Sequence, residues 1–213
     1  MLASKLLLAV APPLCVACRR HAGRTEPLCR ECRRTLRWLE PDPSPASGVA
    51  AWAPLAYEGP ARAMVAALKF GGALALAGAM ATQMAANAPS GWLESPSSGL
   101  VPVPLHPARR RRRGFNQAER LAVELAARSG RPVEDCLERA GPSTNQVGRG
   151  REERSVAIAG AVRIRAAEQP PPVAVLVDDV ITTGATLAAC AKALRRAGPC
   201  EVRAVAYART PGR

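Results

Sequence analysis

Two periods of apolar residues alternate along this chain. Helical spacing marks residues 60–70 (PARAMVAALKF), with Pro60 suited to a first turn, before Gly71-Gly72 breaks the pattern. A second, Ala-rich helix is predicted from about Ala73 to Ala88. From Asn116 to Ser129, residues Ala118, Leu121, Ala122 and Leu125 share a face, and Gly130 stops the helix. Leu187 to Ala197 repeats that design and is closed by Gly198. Strand signals fall between: an extended segment from Val49 to Gly59, LVPVPL from Leu100 to Leu105, the buried-type run Val173 to Val177, and EVRAVAYA at the end. Strand–helix–strand units this short predict a right-handed parallel α/β sheet, with ligands beyond the carboxyl ends of its strands. EPDPSPASG (Glu40 to Gly48) reads as a linker between a head, residues 1–40, and a main domain, residues 49–213. Ala88 to Gly99 reads as loop, and HPARRRRRG as a basic loop. Residues 137–162 lack periodicity and suggest an excursion over a site.

The core must be built mostly from Ala, Leu and Val, because 48% of the 213 residues are apolar but only 3% aromatic. Thirty Lys+Arg against 17 Asp+Glu leave a net charge of +13. That balance suits phosphorylated metabolites or nucleic acid, although an Arg- and Ala-rich composition would also produce it. The leader MLASKLLLAVAPPL has a weak positive region and a short apolar stretch cut by a Pro pair, so a docked amphipathic helix is expected rather than a signal peptide. No segment approaches the roughly 18 apolar residues of a membrane span. The expectation is a soluble, cytoplasmic protein.

Cys15, Cys18, Cys29 and Cys32 form C-x2-C-x10-C-x2-C. Two such knuckles can wrap one tetrahedral zinc ion, each thiolate about 2.3 Å from the metal. The polar, turn-rich stretch between them cannot build its own core, so a metal is expected to hold it. Two disulfides or a redox CxxC are the competing readings, and disulfides need an oxidising compartment. Cys136, Cys190 and Cys200 have no metal spacing, and Cys190 lies in an apolar helical stripe.

The segment VLVDDVITTGAT carries the chemistry. A strand delivers Asp178 and Asp179, a loop of Thr182, Thr183, Gly184, Ala185 and Thr186 follows, and a helix begins. Backbone N–H groups, hydroxyls and a helix dipole make a phosphate cradle beside two acids. The acids could otherwise merely cap the turn. Arg109 to Arg113 could be solvated, grip pyrophosphate or meet nucleic-acid backbone. Lys69 could be a solvated helix end or a phosphate contact, and His106 a phosphate donor. Trp38, Trp52 and Trp92 are assigned to packing.

VLVDDVITTGAT resembles the phosphoribosyl-pyrophosphate (PRPP) signature of type I phosphoribosyltransferases. Combined with the four-cysteine head, Leu68-Lys69-Phe70, Val101-Pro102-Val103-Pro104 and Arg113-Gly114-Phe115-Asn116-Gln117, it resembles the ComF family over nearly the whole chain. The resemblance implies a parallel-sheet type I phosphoribosyltransferase fold with a small N-terminal zinc-binding ribbon. It implies that Asp178 and Asp179 contact the ribose 2- and 3-hydroxyls of PRPP, directly or through Mg²⁺, as the catalytic acids. Thr182, Thr183, Gly184, Ala185 and Thr186 would wrap the 5-phosphate. Pro102, Val103, Pro104, Leu105 and His106 would form the pyrophosphate loop, flanked by Arg113, Asn116 and Gln117. A hood over the base side would use Arg139, Thr144, Gln146 and Arg154. Thr144 and Gln146 could equally order that loop. Where the family often has Asn three residues after the last Arg, and Ala-Phe at the end of the hood, this chain has Ala157 and Ala161-Val162.

Three functions remain open: a Mg²⁺-dependent phosphoribosyltransferase, a PRPP sensor without turnover, and an accessory protein of natural competence that meets single-stranded DNA or a helicase. Charge favours the last; the few aromatics argue against a stacking platform for single strands.

Overall fold

The computed structural model describes residues 14–23, 26–70, 75–139, 162–166, 168–198 and 200–211. The leader helix, Thr144, Gln146 and Arg154 lie outside the described residues. The continuous apolar run starting at Val173 becomes the central strand, β7 (Val173–Ile181). It is flanked in parallel by β8 (Glu201–Arg209) and β4 (Ser98–Pro102). β2 (Val49–Trp52) and β3 (Leu55–Ala56) both pair in parallel with β8, and β1 (Ser44–Ala46) adds an antiparallel edge to β2. The strand order is β1-β2-β8-β7-β4. The sheet is thus mostly parallel, rather than wholly so.

The head contributes a short helix, α1 (Arg30–Arg34), and docks on the sheet. Cys15, Leu28 and Leu36 share one apolar cluster with Trp52 and Leu55. Backbone bonds from Leu39 N to Pro54 O (2.8 Å) and from Ala56 N to Arg37 O (2.9 Å) tie the exit of the head to β3.

The strand pleat sorts the core into two layers. Val175 and Val177 of β7, with Val205 and Tyr207 of β8, pack against α2 (Gly59–Phe70), α3 (Leu76–Asn87) and α5 (Gln117–Ser129) through Met64, Met80, Met84, Leu121 and Leu125. Ala174, Leu176, Ala204 and Ala206 face the other way, against Leu187, Cys190 and Leu194 of α6 (Ala185–Ala197). Cys190 is fully buried there, as its apolar stripe predicts. Tyr207 Oη donates to Gln83 Oε1 at 2.8 Å, which satisfies the one polar atom of a buried ring.

Several sequence expectations change. The linker contains a strand: β1 turns into β2 through Ser47 and Gly48, both at positive φ (50° and 79°), the conformation of a two-residue type I′ hairpin. The alternating prolines of that segment hid the turn, although glycine beside serine is a recognised hairpin signal. The basic loop is largely helix, α4 (Pro107–Arg113). Pro107 suits its first turn, and Gly114 closes it at φ 83°. Arg is a good helix former, so a charge run alone did not signal loop. Strand β4 begins at Ser98 and ends at Pro102, short of Leu105. Trp52 and Trp92 are buried, but Trp38 is half-exposed. A short antiparallel pair, β5 (Leu137–Arg139) with β6 (Val162–Ile164), stands at the foot of the segment expected to form the hood.

Candidate functional site

β4 leaves the sheet at Pro102, opposite Val177, while β7 continues to Ile181 beside β8. The acids therefore lie within the strand, not beyond its end as its apolar run suggested. They sit where one neighbouring strand has departed, which is where ligand crevices open in such sheets. A cavity of about 600 Å³ opens there. Its lining includes Asp178, Asp179, Thr182 and Thr186 from the signature, Val103, Pro104 and Leu105 from the turn after β4, and Lys69, Phe70, Arg113, Gln117 and Arg139.

Because consecutive strand residues point to opposite faces, the two acids have different surroundings. Asp179 is buried on the α2 side, and its Oδ2 lies 2.6 Å from Lys69 Nζ. Asp178 has the parity of the α6 layer, and its Oδ1 accepts the Asp179 N–H at 2.8 Å. Burial, then the neighbouring Asp179 charge, pushes the Asp178 carboxyl well above the usual carboxylate range.

The loop after β7 is shaped by its backing. Gly184 has φ 80°, and a Cβ there would lie 2.7 Å from the Ala46 carbonyl carbon. Only glycine fits both the conformation and the space. Ser47 Oγ donates to Thr183 O at 2.7 Å. The hairpin edge thus holds the loop at the N-terminus of the thirteen-residue helix α6. Thr182 and Thr186 face the cavity; Thr183, Gly184 and Ala185 are not in its lining, which leaves them as the backbone of the turn.

On the opposite wall, α4 divides the arginine run. Arg109, Arg112 and Arg113 line the cavity, while Arg110 and Arg111 line a neighbouring hollow of about 320 Å³. Arg110 pairs with Glu119 at 3.1 Å. Arg113 stacks over the exposed Phe70 ring, 5.4 Å from its centroid, and donates to Gln117 Oε1. Burial holds Arg113 and Arg139 below the ordinary arginine range, yet a guanidinium stays charged. The result is an acidic floor facing a cationic wall, a distribution suited to a sugar carrying phosphates.

Three sequence-predicted residues also make local structural contacts. His106 Nδ1 accepts the Ala108 N–H at 3.2 Å as the N-cap of α4, and His106 is not in the cavity lining. Asn116 is buried: its Oδ1 accepts the Ala118 N–H at 3.1 Å and its Nδ2 donates to Val103 O at 3.0 Å. It caps α5 while pinning the turn after β4. Pro102 ends β4 instead of lining the cavity. The Lys69 ion pair was missed, since a helix-end lysine carries no sequence sign of a partner more than a hundred residues away.

In the head, the four Cys Sγ atoms lie within 4.8 Å of one another, and Cys18 Sγ is 3.7 Å from Cys29 Sγ. Four thiolates around zinc at about 2.3 Å stand roughly 3.8 Å apart. A disulfide needs about 2.05 Å, so the spacing fits a zinc ribbon better than two disulfides. Each knuckle is pre-turned by backbone bonds, Arg19 N to Cys15 O (2.9 Å) and Arg33 N to Cys29 O (3.0 Å). Backbone and side-chain N–H groups of Arg20 pull the Cys18 thiol down to about 6, toward the thiolate a metal requires.

Residues 166–213 match the phosphoribosyl transferase domain family. Over 113 residues the chain is 34% identical to Competence protein F of Haemophilus influenzae, an alignment that covers 52% of this chain and 49% of that protein. The chain thus spans about half the length of the curated relative it matches. A phosphoribosyltransferase-type domain stands behind the four-cysteine head. Among the described residues, no helix is long and apolar enough to cross a membrane.

Two outcomes follow from this geometry. Asp178→Asn keeps the acceptor for the Asp179 N–H and removes a carboxyl that resists ionisation. The raised value means that the folded state loses stability as pH climbs from about 3.9 through that value. The variant should therefore melt higher at pH 7, by about 2–4 °C per kcal/mol relieved, with the advantage vanishing below about pH 3.9; an unchanged melting temperature at pH 7 contradicts it. Purified protein should carry about one zinc per chain, and a strong chelator should unfold the head, as followed by Trp38 fluorescence. A metal-free head with an unaltered spectrum refutes the assignment.

Proposed function

On the footing of a ComF-family protein, which the four-cysteine head, the phosphoribosyl transferase domain and the similarity to Competence protein F fit, we propose that this chain binds PRPP with Mg²⁺ and transfers its 5-phosphoribosyl group. The observation that carries the proposal is one cavity holding Asp178 and Asp179, the loop at the start of α6, and Arg109, Arg112 and Arg113 opposite.

The 5-phosphate would sit against the N–H groups from Gly184 onward, with the Thr182 and Thr186 hydroxyls beside it. The acids would hold the ribose hydroxyls. Breaking the C1–O bond leaves an oxocarbenium-like sugar and an anionic pyrophosphate. The arginines of α4 would stabilise that leaving charge, and Pro104 and Leu105 would shape its seat. Hard oxygen donors on Asp178 and Asp179 suit Mg²⁺, which would neutralise pyrophosphate charge when bound. Most of the catalysis would come from positioning, so no nucleophilic His or Cys is required. Arg139, which lines the cavity, would border the acceptor side.

A second reading keeps the main cavity for PRPP sensing and uses Arg110 and Arg111, which line a different hollow, for single-stranded DNA or a helicase partner in competence. The name of the relative and the net charge of +13 favour it. Cytoplasmic residence is part of both readings.

PRPP with Mg²⁺ at about 100 times Kd should stabilise the protein by about 2.7 kcal/mol, raising its melting temperature on the order of 5–10 °C. Asp179→Asn should abolish the shift. No shift for the wild type at saturating ligand overturns both the enzyme and the sensor. Pyrophosphate release with a panel of bases then separates those two. For the second reading, single-stranded DNA binding should weaken with salt, and Arg110→Ala with Arg111→Ala should flatten the salt slope by about 1.4; equal slopes remove it.

A further inference from the structure

Lys69 stands out chemically as well as spatially. The chain holds 30 Lys+Arg, of which only Lys5, Lys69 and Lys192 are lysines. One of these three is placed on the buried acid of the cavity, at 2.6 Å, with Asp179's side chain 4% exposed and that of Lys69 22%. An arginine there would lock the carboxylate with a planar two-bond fork, whereas an ammonium is a compact charge on a rotatable stem that can leave. Its stem comes from the last turn of α2, next to Phe70 on the cavity rim, so the head group already borders the space a phosphorylated ligand would fill.

We infer that Lys69 is an exchangeable counter-ion: its ammonium neutralises Asp179 in the empty cavity, blocks a divalent cation from occupying that carboxylate alone, and yields it when an anionic ligand draws the ammonium away. This rests on the reading of the cavity as a phosphoribosyl and divalent-cation site. It adds an order to that reading. Metal enters with the anionic ligand and not before it, because a lone cation must displace a fixed positive charge from a buried carboxylate. Arg113, a further cation that acts on Asp179, is engaged instead with Phe70 and Gln117.

Mn²⁺ alone is the probe, titrated at pH 8 by electron paramagnetic resonance into the full chain with its zinc in place. Wild type and Lys69→Arg, which both keep a cation on Asp179, should bind it weakly. Lys69→Met should bind it at least tenfold more tightly without any organic ligand, and adding Asp179→Asn to that variant should remove the gain. Equal or weaker Mn²⁺ binding by Lys69→Met overturns the inference, as does a gain that survives Asp179→Asn. Circular dichroism of each variant identifies loss of fold; should Lys69→Met not fold, Lys69→Gln replaces it with the same two criteria. PRPP-induced stabilisation of the wild type is measured alongside. Its presence without the Mn²⁺ gain sinks only the counter-ion, whereas its absence sinks the phosphoribosyl reading.

Discussion

The architecture turns on the demand made by two adjacent carboxylates carried on a central strand. A strand flanked on both sides would force those groups into a dry core at a cost of several kcal/mol each. The sheet avoids this by ending β4 at Pro102, so β7 runs past Val177 with one side open. The gap becomes the cavity. Everything around it then answers to that negative charge: Lys69 meets Asp179, the Asp178 carboxyl resists ionisation, and α4 supplies the arginines across the opening.

A consequence is a division of labour between neighbours in sequence. The pleat gives Asp179 to the α2 layer and Asp178 to the α6 layer. One acid is paired with an ammonium, while burial pushes the other above the usual carboxylate range. The phosphate loop shows the same reliance on distant parts. Its tight bend at Gly184 rests on Ala46, and Thr183 is held by Ser47, so the edge hairpin and the signature loop form one unit.

Much of this was legible beforehand. Helices α2, α3, α5 and α6 followed from apolar spacing, helped at α2, α5 and α6 by the glycines that follow them. The main strands followed from β-branched runs, and the four thiols from the knuckle spacing. What escaped detection shares one cause. The β1 hairpin, the helical arginine run, the capping roles of His106 and Asn116, and the Lys69 pair all depend on neighbours in space. Local polarity labelled Glu40 to Gly48 a linker because Pro and Ser break patterns, yet pairing with β2 recruits three of those residues into the sheet.

By itself the sequence determined the order of the main strands and helices, the pairing of acids with a glycine-bearing loop, and the set of thiols, since each is a short-range pattern of residue types. Tertiary structure alone decided which acid is neutralised, which arginines face the cavity, and what supports the loop. Those outcomes depend on distances of a few ångströms between groups far apart along the chain, and charge, burial and steric fit act through such distances and not through sequence separation.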